Sequence, residues 1–234
     1  MRKNVWFISD THFGHVNSAK YSALRREGAG ITLDELYNRD KEDKETEKEL
    51  TDRLDSWLIK KWNSTIAPDD TIYIVGDFCL SAKPEAEKLL KKLHGKKWLI
   101  RGNHDKTVIG LEKYFSWVGD RLTVKFHHNQ YPFIKEGERF CVELFHYPIS
   151  TWFHKEYGYC HVCGHVHSAD DKKNKVTGEL RVDVGLDAEL SGGEFISLEK
   201  LYNHFRKIVT DAGFDTFQEY ADYMEEKEKK LYEI

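Results

Sequence analysis

Seven side chains with oxygen or nitrogen donor atoms recur beside short apolar runs of the chain, namely Asp10, His12, Asp77, Asn103, His146, His165 and His167. Carboxylate, amide and imidazole donors without a thiolate suit manganese, iron, zinc or a similar ion better than calcium. Seven donors are enough for two ions that share one carboxylate. Two ions about 3.5–4 Å apart can hold a hydroxide and clamp the oxygens of a phosphate ester during in-line displacement. The donor set therefore predicts a binuclear centre for phosphate-ester hydrolysis.

The spacing of the donors suggests how they are shared. Asp10 and His12 are two residues apart, so in an extended strand end their side chains would lie on one face and could chelate one ion. Asp77 follows Gly76, which allows a sharp turn close to a metal, and its two carboxylate oxygens make it the candidate bridge. Each motif alone also has an ordinary explanation as a turn, a helix cap or a core histidine. Their joint occurrence at strand ends favours a common site.

The elements that must position these donors alternate along the first half of the chain. Apolar runs at 5–8, 71–75 and 97–100 predict buried strands whose carboxyl ends carry the donors, where ligands bind in open α/β sheets. Two helical stripes separate the runs, and the second begins behind Pro84. After about residue 120 the pattern predicts a second sheet of antiparallel strands. A helix over 198–208 and a final amphipathic helix follow, the latter marked by Phe217, Tyr220, Met224 and Leu231.

The whole chain has the composition of a globular protein. Its 234 residues, 40% of them hydrophobic, predict a single domain with a helical insertion at about 17–66 and a C-terminal helical extension at about 198–234. A net charge of -4 does not indicate a basic surface for binding nucleic acid, so nucleic acid is expected only as a substrate. With no apolar stretch near the roughly 20 residues of a membrane span and no secretory signal, we expect a cytoplasmic protein without membrane contact. The four cysteines are expected to be reduced.

The donor motifs, in the order Asp-x-His, Gly-Asp, Gly-Asn-His-Asp, His and Gly-His-x-His, resemble the calcineurin-like metallophosphoesterase signature of small bacterial or phage-type members. The resemblance implies an α/β fold, a four-layer α/β/β/α sandwich of two mixed β-sheets flanked by helices. It implies that one metal is held by Asp10, His12, Asp77 and His167. It implies that the other is held by Asp77, Asn103, His146 and His165. The segment 182–187 is similar to the strand that follows the last histidine pair in many small members.

The resemblance also implies a hydrolase of phosphate esters that uses a metal-bridging hydroxide. We expect phosphodiesters slightly ahead of phosphomonoesters, with a nucleotide among the candidate substrates. Manganese is the favoured metal, and iron, zinc and nickel are alternatives.

Four further residues are candidates for catalysis or substrate binding. His104 is not a metal ligand in the family pattern, so it could stabilise charge on the phosphoryl group or protonate the leaving oxygen. Asp105 could orient the His104 ring. Arg101 is a candidate contact for phosphate, with a surface position as its alternative, and His15 is close enough to the predicted cleft to contact substrate.

Two competing functions remain open at this level. Nuclease members of the superfamily often carry another histidine shortly after Gly-Asp, whereas Phe78-Cys79-Leu80 follows here, which weakens a nuclease assignment. A zinc-binding interaction module built on Cys160 and Cys163 is the rival from another class, but it leaves Asp10 and Asp77 without a role.

Two charged regions are also ambiguous. The segment 39–49 is either a solvated helical face or a mobile cap over the cleft. Two lysine clusters are either nucleotide contacts or ordinary surface, and they consist of Lys91, Lys92, Lys96 and Lys97, and of Lys172, Lys173 and Lys175.

Overall fold

The computed structural model describes residues 3–38, 43–167 and 179–232. The strands in these ranges are β1 (Val5–Ile8), β2 (Thr71–Val75), β3 (Lys96–Ile100), β4 (Trp117–Gly119), β5 (Arg121–His127), β6 (Arg139–Phe145), β7 (Cys160–Cys163), β8 (Arg181–Asp183) and β9 (Ile196–Ser197). They form a five-stranded sheet in the order β4-β3-β2-β1-β9 and a four-stranded sheet in the order β5-β6-β7-β8. Lys172, Lys173 and Lys175 lie outside the described residues, as do positions 39–42 of the charged segment.

The helices are α1 (Ala23–Ala29), α2 (Leu33–Tyr37), α3 (Lys44–Thr65), α4 (Lys83–Lys92), α5 (Leu198–Asp211) and α6 (Phe217–Tyr232). Local sequence explains where several of them begin. The Asp43 carboxylate accepts hydrogen bonds from the first-turn N–H groups of α3, and the Ser197 hydroxyl does the same for α5. Pro84 lies in the first turn of α4, where its missing N–H costs nothing. None of the described helices is both long enough and apolar enough to traverse a bilayer.

The first sheet is covered on both faces, which explains its nearly continuous apolar strands. Strands β1 to β4 are parallel and β9 pairs antiparallel with β1. Ile8 and Ile74 pack beneath α3 and α4 together with Leu58 and Trp62. Successive strand side chains point to opposite faces, so their neighbours, Phe7 among them, face the second sheet.

The second sheet is mixed, so the prediction of purely antiparallel strands was wrong. Only β5 and β6 pair antiparallel, whereas β6 with β7 and β7 with β8 are parallel. Apolar alternation marks a strand but not its direction, and the segment 146–159 is long enough for the crossover that a parallel pair requires. Because β6 and β7 run in the same direction, their carboxyl ends lie at one edge.

Helices flank both sheets and complete the mixed two-sheet α/β architecture that the sequence predicts. The C-terminal helices contribute Leu201, Phe205 and Phe217 to the core between the sheets. In the described residues between β1 and β2, a 3₁₀ turn at Val16–Lys20 is followed by α1, α2 and α3. It has a small apolar core of its own, formed by Val16, Ala19, Ile31, Leu36, Leu50 and Leu54.

Candidate metal centre

The predicted ligands lie at the carboxyl ends of strands from both sheets. Two groups of donors result, and in each group one donor atom per residue lies within 4.8 Å of the others. The first group consists of Asp10, His12 and His167, and the second of Asp77, His146 and His165. Residues up to 157 positions apart in the sequence come together because β1, β2, β6 and β7 all end at this edge.

Asp77 lies between the two groups. Its Oδ2 atom is 3.5 Å from Nε2 of His146 and 3.9 Å from Nε2 of His12. Although burial opposes ionisation, the contact with His146 and the N–H of His104 lower the pKa of Asp77 to about 2, so the carboxylate is ionised near neutral pH. This is the placement that a carboxylate shared by two cations requires. Asn103 immediately precedes His104, whose N–H donates to Asp77 Oδ1 at 2.9 Å.

The first group is compact, with Asp10 and His12 buried and His167 exposed. Asp10 Oδ1 is 3.7 Å from His12 Nε2 and 3.6 Å from His167 Nε2, and the two imidazole Nε2 atoms are 3.3 Å apart. Burial lowers the pKa of His12 to about 3, which keeps its imidazole neutral and its lone pair available. The second Asp10 oxygen accepts a hydrogen bond from the N–H of His165 at 3.0 Å, which ties the two groups together.

The residues present fit a pair of cations. Within the described ranges, three of the predicted ligands have a buried side-chain atom without a hydrogen-bond partner, namely Asp10 Oδ1, His12 Nδ1 and His146 Nε2. A buried unsatisfied polar atom costs about 1–3 kcal/mol. A divalent ion would compensate the Asp10 oxygen and the His146 nitrogen, and two carboxylates with four imidazoles suit transition metals or zinc.

Five of the seven predicted ligands have left-handed backbone conformations, with φ between 48° and 74°: Asp10, His12, Asp77, His165 and His167. The extended geometry predicted for Asp10 and His12 is therefore wrong, because both residues have a positive φ. Such a conformation costs a non-glycine residue roughly 1–2 kcal/mol and is typical of functional sites. Hydrogen bonds from Asp10 N–H to the Gly76 carbonyl and from His12 N–H to the Asp77 carbonyl, both 3.0 Å, hold the turns together.

Glycines precede the ligands where backbones approach most closely. Gly76 has φ of 89°, and a Cβ atom there would lie 2.2 Å from Nδ1 of His146. A Cβ at Gly164 would lie 2.4 Å from Oδ2 of Asp10 and 2.1 Å from the Ser9 hydroxyl oxygen. The Gly-Asp and Gly-His-x-His spacings are thus steric requirements of the site.

Residues behind the ligands set their orientation. His146 Nδ1 lies 2.9 Å from the Val75 carbonyl oxygen, so it carries the proton and Nε2 faces the centre. The Asp187 carboxylate raises the pKa of His167 and lies 3.9 Å from its Nδ1, which leaves Nε2 for the centre. The fully buried Arg25 pairs with Asp187 at 2.8 Å and donates to the Thr11 carbonyl at 2.9 Å.

The roles of Arg25, Ser22 and Asp187 are not apparent from the sequence. Ser22 donates to Asp187 at 2.6 Å, and Arg25 also donates to the Asp10 carbonyl at 2.7 Å. Arg25 stands beside Arg26 in a polar segment, which is the pattern of a solvated helix. Of these three residues, only Asp187 lies in a segment that the sequence singles out, namely 182–187, which resembles a family strand.

The four catalytic and substrate-binding candidates are placed differently from one another. His104 is exposed, and its ring centroid lies 5.7 Å from that of His12. The half-buried His15 ring is 6.2 Å from the His12 ring. Arg101 forms an exposed ion pair with Asp120 at 2.7 Å.

The Asp105 carboxylate contacts backbone groups next to Asp77. It is buried and accepts hydrogen bonds of 2.8–2.9 Å from the N–H groups of Asp77, Phe78 and Gly102. These hydrogen bonds fix the backbone around Asp77. Orientation of the His104 ring by Asp105 stays a prediction, since no contact between the two side chains is found among the described residues.

The zinc module on the cysteine pair was also wrong. Cys160 and Cys163 lie three residues apart in β7, so their side chains point to opposite faces of the sheet and cannot chelate one ion. Both are buried, and Cys163 Sγ donates to the Val182 carbonyl. The described cysteines, including Cys79, are free thiols within the core.

Two mixed sheets with paired carboxylate and histidine groups at one edge define the metallophosphoesterase class. The chain belongs to the calcineurin-like phosphoesterase family, whose model matches residues 3–169.

Similar proteins extend the match over most of the chain. It is 27% identical over 209 residues to the uncharacterized protein MJ1445 of Methanocaldococcus jannaschii, covering 88% of this chain and 93% of that protein. It is 26% identical over 232 residues to the gene 66 protein of Mycobacterium phage L5, covering 91% and 99%. The crystal structure of AQ665 from Aquifex aeolicus, a protein of unknown function, shares the fold with a TM-score of 0.53 and 21% identity, covering 87% of this chain and all of that one.

Proposed function

We propose that the protein is a phosphoesterase dependent on two divalent metal ions, with a preference for phosphodiesters. The observation that carries the proposal is the position of Asp77 Oδ2, within 4 Å of a histidine nitrogen from each donor group. Family membership supports the reaction class. Unpartnered buried atoms on Asp10 and His146 support binding of cations.

The proposed ligands divide into two sets that share Asp77. One ion would be held by Asp10, His12, Asp77 and His167. The other would be held by Asp77, Asn103, His146 and His165. When bound, such ions supply Lewis-acid activation of a water molecule and neutralise phosphoryl oxygens. Manganese is the proposed metal, with iron, zinc and nickel as alternatives.

The remaining groups bind the substrate or hold the site in place. The exposed His104, whose ring lies close to that of His12, would donate a proton to the leaving-group oxygen or a hydrogen bond to the phosphoryl group. Asp105 holds the Asp77 turn, and Asp187 holds His167. His15, whose ring centroid lies 6.2 Å from that of His12, is a proposed substrate contact.

The ion pairing of Arg101 favours phosphodiesters over phosphomonoesters as substrates. Arg101, the proposed phosphate contact, is ion-paired with Asp120 at 2.7 Å. This pairing reduces its capacity to neutralise the second negative charge of a monoester. A diester carries a single charge, so it needs less cationic support beyond the metal ions.

Hydrolysis of nitrophenyl esters tests the proposal. Protein stripped with a chelator and reloaded with Mn²⁺ should hydrolyse bis(p-nitrophenyl) phosphate faster than p-nitrophenyl phosphate. Asp77→Asn should abolish both activities and reduce the metal content measured by atomic emission. Asp211→Asn is the matched control, because this exposed carboxylate pairs only with Lys207 among the described contacts and should change neither. Full activity and metal content in Asp77→Asn would overturn the proposal.

A second panel separates the substrate classes. Cyclic nucleotides and single-stranded nucleic acids should be tested with the same Mn²⁺-loaded protein. Hydrolysis of the nucleic acids at rates above those of small diesters would favour the nuclease assignment instead.

A further inference from the structure

The loop of residues 11–15, which follows β1, carries the proposed metal ligand His12 and is joined by backbone hydrogen bonds to the segment after β2. His12 N–H donates to the Asp77 carbonyl at 3.0 Å, and Phe13 N–H donates to the Phe78 carbonyl at 3.0 Å. The Phe13 carbonyl in turn accepts from the N–H of Leu80 at 2.8 Å. These bonds tie the backbone of one ligand, His12, to that of another, Asp77.

A side chain of α3 holds the same loop. Gly14 N–H donates to the Asp55 carboxylate, with its nitrogen 2.9 Å from Oδ1 and 3.1 Å from Oδ2. Gly14 has φ of 76°, and a Cβ atom there would lie 1.9 Å from the Ser81 hydroxyl oxygen and 2.8 Å from the Ser81 backbone nitrogen. The loop is therefore packed closely against the segment after β2, and α3 contributes a carboxylate acceptor for Gly14, next to the proposed substrate contact His15.

The Asp55 carboxylate lowers the stability of the folded protein. It is half-buried, and among the described residues no lysine or arginine forms an ion pair with it. Burial raises the pKa of Asp55 to about 6, although the Gly14 N–H acts against this, and nearby Asp52 and Lys92 act in opposite directions. A charge kept in an unfavourable environment is typical of residues that serve function more than stability. Ionisation also strengthens the hydrogen bond that Asp55 accepts.

We propose that Asp55 is a positioning residue for the metal centre. By accepting the N–H of Gly14, it holds the 11–15 loop in the conformation that directs the His12 imidazole to the first donor group. The second donor group has no residue on this loop, so its ion should depend on Asp55 much less. The inference rests on the proposed function and adds to it a residue outside the signature motifs.

Metal titration tests the inference. Isothermal titration calorimetry of metal-free protein with Mn²⁺ should give two dissociation constants for the wild type. The constant that is lost in His167→Ala identifies the first donor group. Asp55→Ala removes the acceptor of the Gly14 N–H, so we expect this constant to rise on the order of tenfold, as for other groups that orient a metal ligand. The constant of the second group should change much less.

Three variants isolate the hydrogen bond. Asp55→Asn keeps an oxygen that can accept the Gly14 N–H but removes the charge, so it should retain most of the affinity that Asp55→Ala loses. Asp55→Ser, whose hydroxyl is too short to reach Gly14, should behave like Asp55→Ala and replaces it if that variant does not fold. Asp52→Ala is the matched control, because Asp52 lies one turn earlier on α3, is 61% exposed and pairs with Lys48, and it should change neither constant.

Urea denaturation of the same metal-free variants separates positioning from a purely structural role. A purely structural hydrogen bond predicts a lower denaturation midpoint for Asp55→Ala and unchanged metal affinity in the protein that remains folded. Positioning predicts a selective loss of metal affinity in folded protein. It also predicts that Asp55→Asn has a midpoint at least as high as that of the wild type, because the buried charge is gone.

The outcomes distinguish this inference from the proposed function. Unchanged constants in Asp55→Ala and Asp55→Ser, an equal rise in both constants, or an equal loss in Asp55→Asn would overturn the positioning role. Hydrolysis of bis(p-nitrophenyl) phosphate by the wild type would in each case leave the enzyme assignment intact. Selective loss at the first group in a protein that hydrolyses neither nitrophenyl ester would support positioning and refute catalysis. A wild type that binds no Mn²⁺ would refute both.

Discussion

Arg25 is the residue whose replacement should reveal most about how the site is held together. Its guanidinium is fully buried and contacts the Asp187 carboxylate at 2.8–2.9 Å, as well as the backbone carbonyls of Asp10 and Thr11. Asp187 is only 18% exposed. Arg25→Met keeps most of the side-chain volume but removes every one of these hydrogen bonds and leaves a partly buried carboxylate without its partner.

The expected loss follows from this burial. Removing one member of a buried ion pair typically costs about 3–5 kcal/mol, because the remaining charge is uncompensated. Arg53→Met is the matched control, since Arg53 and its partner Glu35 are 32% and 37% exposed. Exposed pairs contribute about 0–1 kcal/mol, so the control should lose much less stability.

A double-mutant cycle measures the interaction itself. Urea denaturation followed by circular dichroism, on metal-free protein, should be run for Arg25→Met, Asp187→Asn and the double variant. We expect the double variant to lose less than the sum of the single losses, with a coupling energy of about 2 kcal/mol. Strictly additive losses, or a loss in Arg25→Met no larger than in Arg53→Met, would refute the argument that this pair supports the centre.

Three further outcomes follow from the same structure. Asp187→Asn should weaken metal binding about 10–100-fold by calorimetry, because His167 loses the carboxylate that orients it, and unchanged affinity would contradict that role. Gly164→Ala should lower metal content and stability, since its Cβ would overlap Asp10 Oδ2, and a protein with normal metal content would show that the loop adapts. Burial raises the pKa of Asp55 to about 6, so its ionisation destabilises the folded state increasingly as pH rises from about 4 to 6. Asp55→Asn should therefore be more stable than wild type by about 2 kcal/mol at pH 7–8, with the difference shrinking below pH 4; a difference independent of pH in urea titrations would contradict the shift.

The strands of the first half and the helical stripes were predictable because they depend on local periodicity. The predicted strands at 5–8 and 71–75 agree with β1 and β2, and the third is longer by one residue. Short elements such as β4 and β9 were missed, since three or two residues hold no periodic signal.

The amino-acid sequence by itself determined the family, the two-sheet α/β class and the set of donor side chains, because donor chemistry and strand ends are properties of short segments. The tertiary structure alone decided how the donors meet: the left-handed turns at Asp10 and His12, the parallel pairing that aligns His146 with His165, and the pairing of Arg25 with Asp187 across 162 residues. Such contacts depend on strand direction and on packing between distant segments, which residue spacing does not encode. Asp105 shows the difference most clearly, since its neighbour in sequence suggested a histidine partner, whereas the three backbone N–H groups around it are set by the fold.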